Sequence, residues 1–406
     1  MTWLGSMPSR WELRSPKSLF EERRTPNLPD DVHLTPSQKY GVLPQSEYIE
    51  LTGGSVVLNL TGQNTMKHVE PDDFIIHLRS FQGGLEHARQ PGKVSTAYTV
   101  IKLKNSTNPG FFRWLLKSSA FIQELQTTTN QLRDGQSIRW SDFVKVPLPT
   151  PPLDEQRAIT DYLDRETQKI DELINEQRGL NKTLRERRRS LVTRAVTLGI
   201  DEGELTEVED RTIGEVPLGW EIRPLKNWMK SLDGLRVPLS ATERADRSGV
   251  YDYYGASGVI DHVDDYLFED PLVLVSEDGA NLLLRSTPIA FVASGKYWVN
   301  NHAHVFRPED GLVRFWAERI EALDVAPFVT GSAQPKLTAS ALGRIRLSAP
   351  ADPAERRRIS TYLDEQTSRI DELISESEDL IALSQERRAA LITAVVTGQI
   401  DVRSAA

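Results

Sequence analysis

The sequence predicts an α+β protein in which two mixed α/β blocks are each followed by a copy of one long helix, giving an internal repeat. Three observations predict it. Glu155-Gln-Arg-Ala-Ile159-Thr-Asp-Tyr162-Leu163-Asp164 returns as Glu355-Arg-Arg-Arg-Ile359-Ser-Thr-Tyr362-Leu363-Asp364, and Ile170-Asp-Glu-Leu-Ile174 returns as Ile370-Asp-Glu-Leu-Ile374. The offset never drifts over roughly six heptads, which chance similarity would not sustain. Both copies carry a seven-residue apolar stripe, whereas the stretches before them hold short β-type runs broken by Gly and Asp.

In chain order, residues 1–150 form the first mixed block and 151–200 the first helical copy. Residues 201–350 are a linker and the second block, and 351–406 the second copy with a C-terminal tail. Each block opens on a tryptophan phrase, Pro8-Ser-Arg-Trp11-Glu-Leu-Arg14 and Pro217-Leu-Gly-Trp220-Glu-Ile-Arg223. Strand-type runs follow at Ser55–Leu60, Asp73–His77 and Pro271–Ser276. One helix comes late in each block, capped by Asn108-Pro109 before Gly110–Leu116 and by Asp310-Gly311 before Leu312–Ala317. A short strand closes each, at Phe143–Pro147 and Arg344–Leu347.

The long helices have their own signals. Asp352-Pro353-Ala-Glu355 offers an N-cap acid, a proline in the first turn and a glutamate three residues on. Pro151-Pro152-Leu-Asp-Glu155 begins the first copy less cleanly, and Gly199 and Gly398 mark the ends. Each helix spans about 44 residues, roughly 65 Å at the standard rise. The expected seam is Leu163, Ile170, Leu173, Leu180, Leu184 and Leu191 in the first copy, and Leu363, Ile370, Leu373, Leu380 and Leu391 in the second. Gln177 and Ser377 interrupt it at matching places. A helix this long must bury its stripe on another long helix, and the copy in the same chain is the obvious partner.

Composition narrows the function. With 39% apolar and 26% charged residues the chain is ordinary globular protein. It has no apolar run long enough to span a membrane and no signal-peptide core at Met1-Thr-Trp-Leu, so a cytoplasmic location is expected. The absence of cysteine removes disulfides, thiolate metal sites and a cysteine nucleophile. The net charge of −9 argues against bulk electrostatic coating of nucleic acid. The first block carries a small basic excess and the helical copies much of the acid excess.

No catalytic constellation is legible. Gly92-Lys93 and Gly295-Lys296 lack the earlier glycine of a phosphate-cradling loop. No acid stands two residues before a lysine, no Asn/Asp-Pro-Pro-aromatic stretch of an amino-methyltransferase occurs, and Gly255-Ala-Ser257-Gly258 does not fit a nucleophile elbow. No metal site is expected: His302 and His304, with His262 as a third ligand, are the weaker reading of Asn300-Asn301-His302-Ala-His304. Carboxamide, imidazole and cationic side chains in glycine-bordered loops suit base edges and phosphates instead. Candidate DNA contacts in the first block are Gln63, Asn64, Lys67, Arg79, Gln82, Arg89 and Lys93. In the second they are Lys296, Asn300, Asn301, His302, Gln334 and Lys336. The basic run Arg185-Glu-Arg-Arg-Arg189 reads as a solvated or partner-facing helical surface.

These phrases together resemble the specificity subunits of type I DNA restriction-modification systems. The resemblance rests on Pro147–Ile159, the repeated Ile-Asp-Glu-Leu-Ile and Glu-Arg-Arg segments, and Gly219-Trp220-Glu-Ile. Tyr253–Ile260, Glu277-Asp-Gly279-Ala and Asn301-His-Ala-His-Val305 add to it. It implies two target recognition domains joined by two long helices that pair as an antiparallel coiled coil, with a pseudo-twofold relation. It also implies a chain without catalysis, reading an asymmetric bipartite DNA site whose gap follows from helix length. Two modification subunits using S-adenosylmethionine to methylate adenine, and restriction (translocase) subunits hydrolysing ATP with Mg2+, are the implied partners. Those cofactors would sit on the partners and none on this chain. The alternatives are a structural coiled-coil scaffold and a free-standing nucleic-acid enzyme.

Overall fold

The computed structural model describes residues 3–5, 7–53, 66–77, 80–104, 107–128, 138–208, 213–331 and 333–404. It divides into two compact units, Met1–Arg178 with Glu378–Ala406, and Gly179–Ser377. The two long helices, Leu153–Leu198 and Pro353–Val396, each contribute to both units. The first unit holds the front half of one and the back half of the other, and the second unit holds the complementary halves.

Within the first unit the helix halves run antiparallel. Ile159 and Leu163 share a core with Ile392, Val395 and Val396, while further along the first helix Asp171 receives a forked pair from Arg388, Nε at 2.9 Å and Nη2 at 3.2 Å. The second unit repeats this with the roles exchanged. Ile359 and Leu363 pack with Val192, Ala195 and Val196, and Arg188 forks onto Asp371 at 2.8 and 3.2 Å. Asp371 stands at Asp171 plus the repeat offset and Arg388 at Arg188 plus the same offset, so one ion pair is written twice with its partners traded between helices. The same helix-to-helix contact is thus made within each unit, with the two helices exchanging roles.

The blocks share a sheet plan. The first unit has a four-stranded antiparallel sheet in the order Phe20–Glu22, Thr99–Leu103, Phe74–Ile76, Glu86–His87. The second has Met229–Ser231, Ala303–Pro308, Leu272–Ser276, Ala290–Ala293 in the corresponding order. Leu272-Val-Leu-Val-Ser276 is wholly buried, as an apolar run without polar alternation requires. One helix covers each sheet: Pro109–Leu115 brings Phe111, Phe112 and Leu115 to the first core, and Val313–Glu321 brings Phe315, Trp316 and Ile320 to the second. A two-stranded ladder ties the beginning of each block to its end, Glu12–Arg14 with Leu148–Thr150 and Trp220–Pro224 with Arg346–Pro350. The tryptophan phrases then anchor the blocks to the helices. Arg10 forks onto buried Glu155 at 2.6 and 2.7 Å, and the Trp220 indole donates to Glu355 at 3.0 Å.

Several expectations need correction. Leu173, Leu180, Leu373 and Leu380 are exposed by 37%, 46%, 50% and 38%, not in the seam. Buried Ile174 and Asn181, and buried Ser377 and Ser384, take the inner positions. Leu163, Leu363, Leu184 and Ile370 are buried, and Ile170, Leu191 and Leu391 are half-buried. The cause is a choice of phase: Leu173 and Leu180 are themselves seven apart, but inner positions alternate three and four residues, and from Ile170 the four-residue step leads to Ile174. Phe143–Pro147 is not the closing strand; Trp140–Phe143 is a helical turn and the strand is Leu148–Thr150. Asp310 does not cap the second covering helix. Its carboxylate accepts from the Leu312 amide at 3.0 Å, the Trp316 indole at 2.9 Å and Arg356 at 2.7 Å, tying helix to helix. Asn108 does cap, accepting from the Phe111 amide at 3.1 Å. Gly199 and Gly398 follow the long helices with φ of +82° and +78°, the left-handed cap for which glycine is cheapest. The run Ser55–Leu60 lies outside the described residues. Among the described residues no helix is long and apolar enough to cross a membrane.

Candidate nucleic-acid interface

In the second unit three loops converge at the end of the buried strand Leu272–Ser276. The Glu277 amide donates to the His302 carbonyl at 2.9 Å, the Leu337 amide to the Glu277 carbonyl at 2.8 Å, and the Gly279 amide to the Pro335 carbonyl at 2.9 Å. The segments Glu277–Gly279, Asn300–His304 and Ala333–Leu337 are thereby laced by backbone. On this frame Asn301 and Gln334 are exposed, His302 meets Asp278 at 2.8 Å, and Lys336 reaches Glu277 at 3.1 Å. Asn300 is buried and turns its Oδ1 to the His302 amide at 2.7 Å, so it shapes the turn rather than facing outward.

A polar network lies beneath. Buried His304 bonds Asp233 at 2.7 Å through Nδ1 and the Leu337 carbonyl at 2.8 Å through Nε2. Arg236 donates to Glu277 at 2.8 Å and to the Ala303 carbonyl at 2.7 Å. Burial pushes both carboxyls upward, but it is overcome at Asp233 by His304 and the Val305 amide, and at Glu277 by Arg236 and Lys336. Both end below the ordinary carboxylate range. The loops therefore stand on ionised, satisfied groups, which fixes the outward side chains. Asp233 and Arg236 were not singled out by sequence, because they come from a distant segment; His304 was read only as the weaker metal-ligand alternative and as part of the Asn301–Val305 phrase.

Lys296 does not join this group. Its ammonium lies 4.6 Å from the Tyr266 ring and 3.8 Å from Glu269, in the bend just before the strand Tyr297–Val299. Nor do the histidines gather: His262 faces Asp252 at 3.3 Å, and among the described residues no group of three or more His, Cys, Asp or Glu could hold a metal ion.

The first unit is different. Gln63, Asn64 and Arg79 lie outside the described residues. Lys67 points inward, donating to the Tyr98 carbonyl at 2.5 Å, and burial holds its amine below the usual lysine value. Lys93 is half-buried on the neighbouring strand, opposite His68. His68 bridges Asp31 and Glu70, each at 2.8 Å. Burial depresses its imidazole, but the two carboxylates outweigh that and hold it above the ordinary value. Gln82 and Arg89 are exposed. Arg89 lines a groove of about 900 Å³ with His87, Arg113, Lys117 and Arg388, apart from the Lys67–Lys93 strands. The structure thus brings His302, Asn301, Gln334 and Lys336 together, but it does not gather the described first-block candidates into one surface.

A family model described as the type I restriction modification DNA specificity domain matches residues 8–180 and again 217–382. The chain belongs to that family. Two successive matches to one model reflect the repeat that the ion pairs and sheets display. A putative type I restriction enzyme specificity subunit of Haemophilus influenzae is 34% identical over 131 residues, 32% of this chain and 33% of that protein. The putative MjaX specificity subunit of Methanocaldococcus jannaschii is 23% identical over 253 residues, 59% of this chain and 58% of its own. The matches therefore span about a third and under two thirds of these relatives. A chain solved in work on complex assembly and conformational transition of the type I R-M system covers 97% of this chain and all of its own, with a TM-score of 0.69 at 14% identity. The HsdS subunit of Thermoanaerobacter tengcongensis covers 97% of this chain and 98% of its own, with a TM-score of 0.52 at 15% identity. At such identities the likeness shows the shared specificity-subunit fold.

Proposed function

We propose that this specificity-family chain is the DNA-reading, non-catalytic subunit of a type I restriction-modification complex. Each block reads one half of an asymmetric bipartite site, and the helices set the gap between the halves. The observation that carries this is one scaffold bearing unlike surfaces: matching sheets and traded ion pairs support a carboxamide–imidazole–lysine cluster in one unit and no counterpart among the described residues of the other. Like frames with unlike side chains read unlike bases. Methylation of adenine with S-adenosylmethionine and hydrolysis of ATP with Mg2+ belong, in this reading, to modification and restriction partners in the cytoplasm. The docking surface for modification subunits is the outward face of the long helices. Leu173, Leu373, Leu380 and Leu383 stand in water there, a pattern that partner burial explains.

The test is to sequence modified adenines in DNA from cells carrying the complex with this chain as its only specificity subunit. A two-part motif with different halves and an unread gap is expected. A contiguous motif, or modification unaffected by deleting this chain, contradicts the proposal.

A further inference from the structure

The basic run Arg185–Arg189 finds a place that neither the coiled coil nor the reading loops account for. Arg185 and Arg189 line a groove of about 910 Å³ in the second unit, between the back half of the first long helix and the covering helix Val313–Glu321. Arg285, Ser286, Thr287 and Arg314 line it from the other side. Five arginines, counting Arg188, face three acids there, and those acids are engaged. Glu321 accepts from Arg285 and from the Ile289 and Ala290 amides, Glu318 pairs with Arg314 at 3.2 Å, and Asp324 accepts from the Ala326 amide. Arg189 has no acidic partner within ion-pair distance among the described residues.

Two further observations point to an anionic occupant. Arg285 Nη1 and Arg314 Nε are buried without a hydrogen-bond partner, so the groove is short of acceptors. The repeat itself supplies a control. The second helix keeps Arg388 at the position of Arg188 but carries Gln385 and Ala389 where the first has Arg185 and Arg189. Helix pairing therefore does not require these two cations.

We propose that this groove binds phosphate, with Arg185, Arg189 and Arg285 as donors alongside the Ser286 and Thr287 hydroxyls. Guanidinium forks suit phosphate oxygens, and the volume lies within the range of single-ligand sites. The phosphate has two possible sources. One is the DNA backbone beside the bases read by the second unit, since the turn Asn281–Leu284 runs from the Glu277–Gly279 loop directly to Arg285. The other is a free nucleotide. The DNA source rests on the function proposed above; the nucleotide source does not.

The double variant R185Q/R189A installs the residues that the second helix already tolerates, and R189A alone breaks no ion pair. With the full chain, duplex DNA of random sequence is titrated at several salt concentrations and inorganic pyrophosphate by calorimetry. If the groove holds backbone phosphates, the double variant lowers the slope of log affinity against log salt by about 1 to 2, and R189A by about 1, with the recognised half-sites unchanged. If it holds a nucleotide, pyrophosphate binds the native chain and binding falls at least about tenfold in both variants, the loss of one charge-assisted contact. Unchanged salt slopes together with no pyrophosphate binding, in variants that melt like the native chain, overturn the proposal. A chain that binds no DNA even in the assembled complex refutes the function proposed above, and the pyrophosphate titration then decides the groove.

Discussion

The two units share nearly everything that makes them stand and little of what they present. Arg388–Asp171 and Arg188–Asp371 are one ion pair in two copies, and the four-stranded sheets follow one strand order. Their second sheets already differ. Lys67–Val69 pairs antiparallel with Gly92–Val94, whereas Ser248–Gly255 pairs parallel with Tyr297–Val299 and antiparallel with Gly258–Val263. In the first unit the polar centre on that sheet is a histidine held by two acids. In the second the polar centre lies instead at the end of the four-stranded sheet, where a pair of acids is held by arginine, lysine and histidine. A repeated frame can thus keep its helix chemistry while its loops diverge, because backbone ladders and buried apolar strands carry the fold.

The strongest way to break the comparison is in the cores. Leu163→Ala and Leu363→Ala each remove a fully buried leucine, and each is expected to cost its own unit about 2–5 kcal/mol. Hydrogen exchange should show faster opening of Phe74–Ile76 in the first variant and of Leu272–Ser276 in the second. Leu173→Ala and Leu373→Ala should stay within about 0.5 kcal/mol in the isolated chain. A large loss from the exposed leucines would return them to the seam.

This is also where sequence reading reached its limit. The two helices, their lengths, their glycine stops and the duplicated blocks were legible, since a repeat and a heptad pattern extend over many residues. The phase of the seam was not, because Leu173 and Ile174 are adjacent and both apolar, and only the register fixed by Asp171 and Arg388 chooses between them. In the candidate interface, His302, Gln334 and Lys336 were readable as polar loop residues. Their support by Asp233, Arg236 and His304 was not, as it depends on segments brought together by the sheet. Lys67 misled for a related reason: a loop-like lysine folded onto a strand and spent its charge on the Tyr98 carbonyl.

The polar centres sharpen the comparison through pH. His68 has a raised folded-state value, so its contribution is fully present below the unfolded imidazole value of about 6.5 and is lost as pH rises through the raised one. Asp233 and Glu277 have lowered values, so their contribution is present above the ordinary carboxylate range and is lost as pH falls through the lowered values. Exchange protection at Lys67–Val69 should therefore weaken on the alkaline side, and that at Leu272–Ser276 on the acid side. His68→Gln should abolish the first trend only. Parallel trends in both units would remove the distinction.

The smallest effect expected is at the traded ion pairs. Arg388→Ala and Arg188→Ala should each cost about 1 kcal/mol or less, since both pairs are partly exposed, and the two costs should agree. A marked inequality would mean that the helix pairing is not equivalent in the two units.

The most direct test of the central claim replaces Gln334 and Lys336 by alanine and maps methylated adenines from the assembled complex. The account predicts relaxed discrimination, about 1–3 kcal/mol per lost base contact, in one half of the motif while the other half stays as in the native protein. Equal loss in both halves, or an unchanged motif, would contradict the assignment of separate reading to separate units.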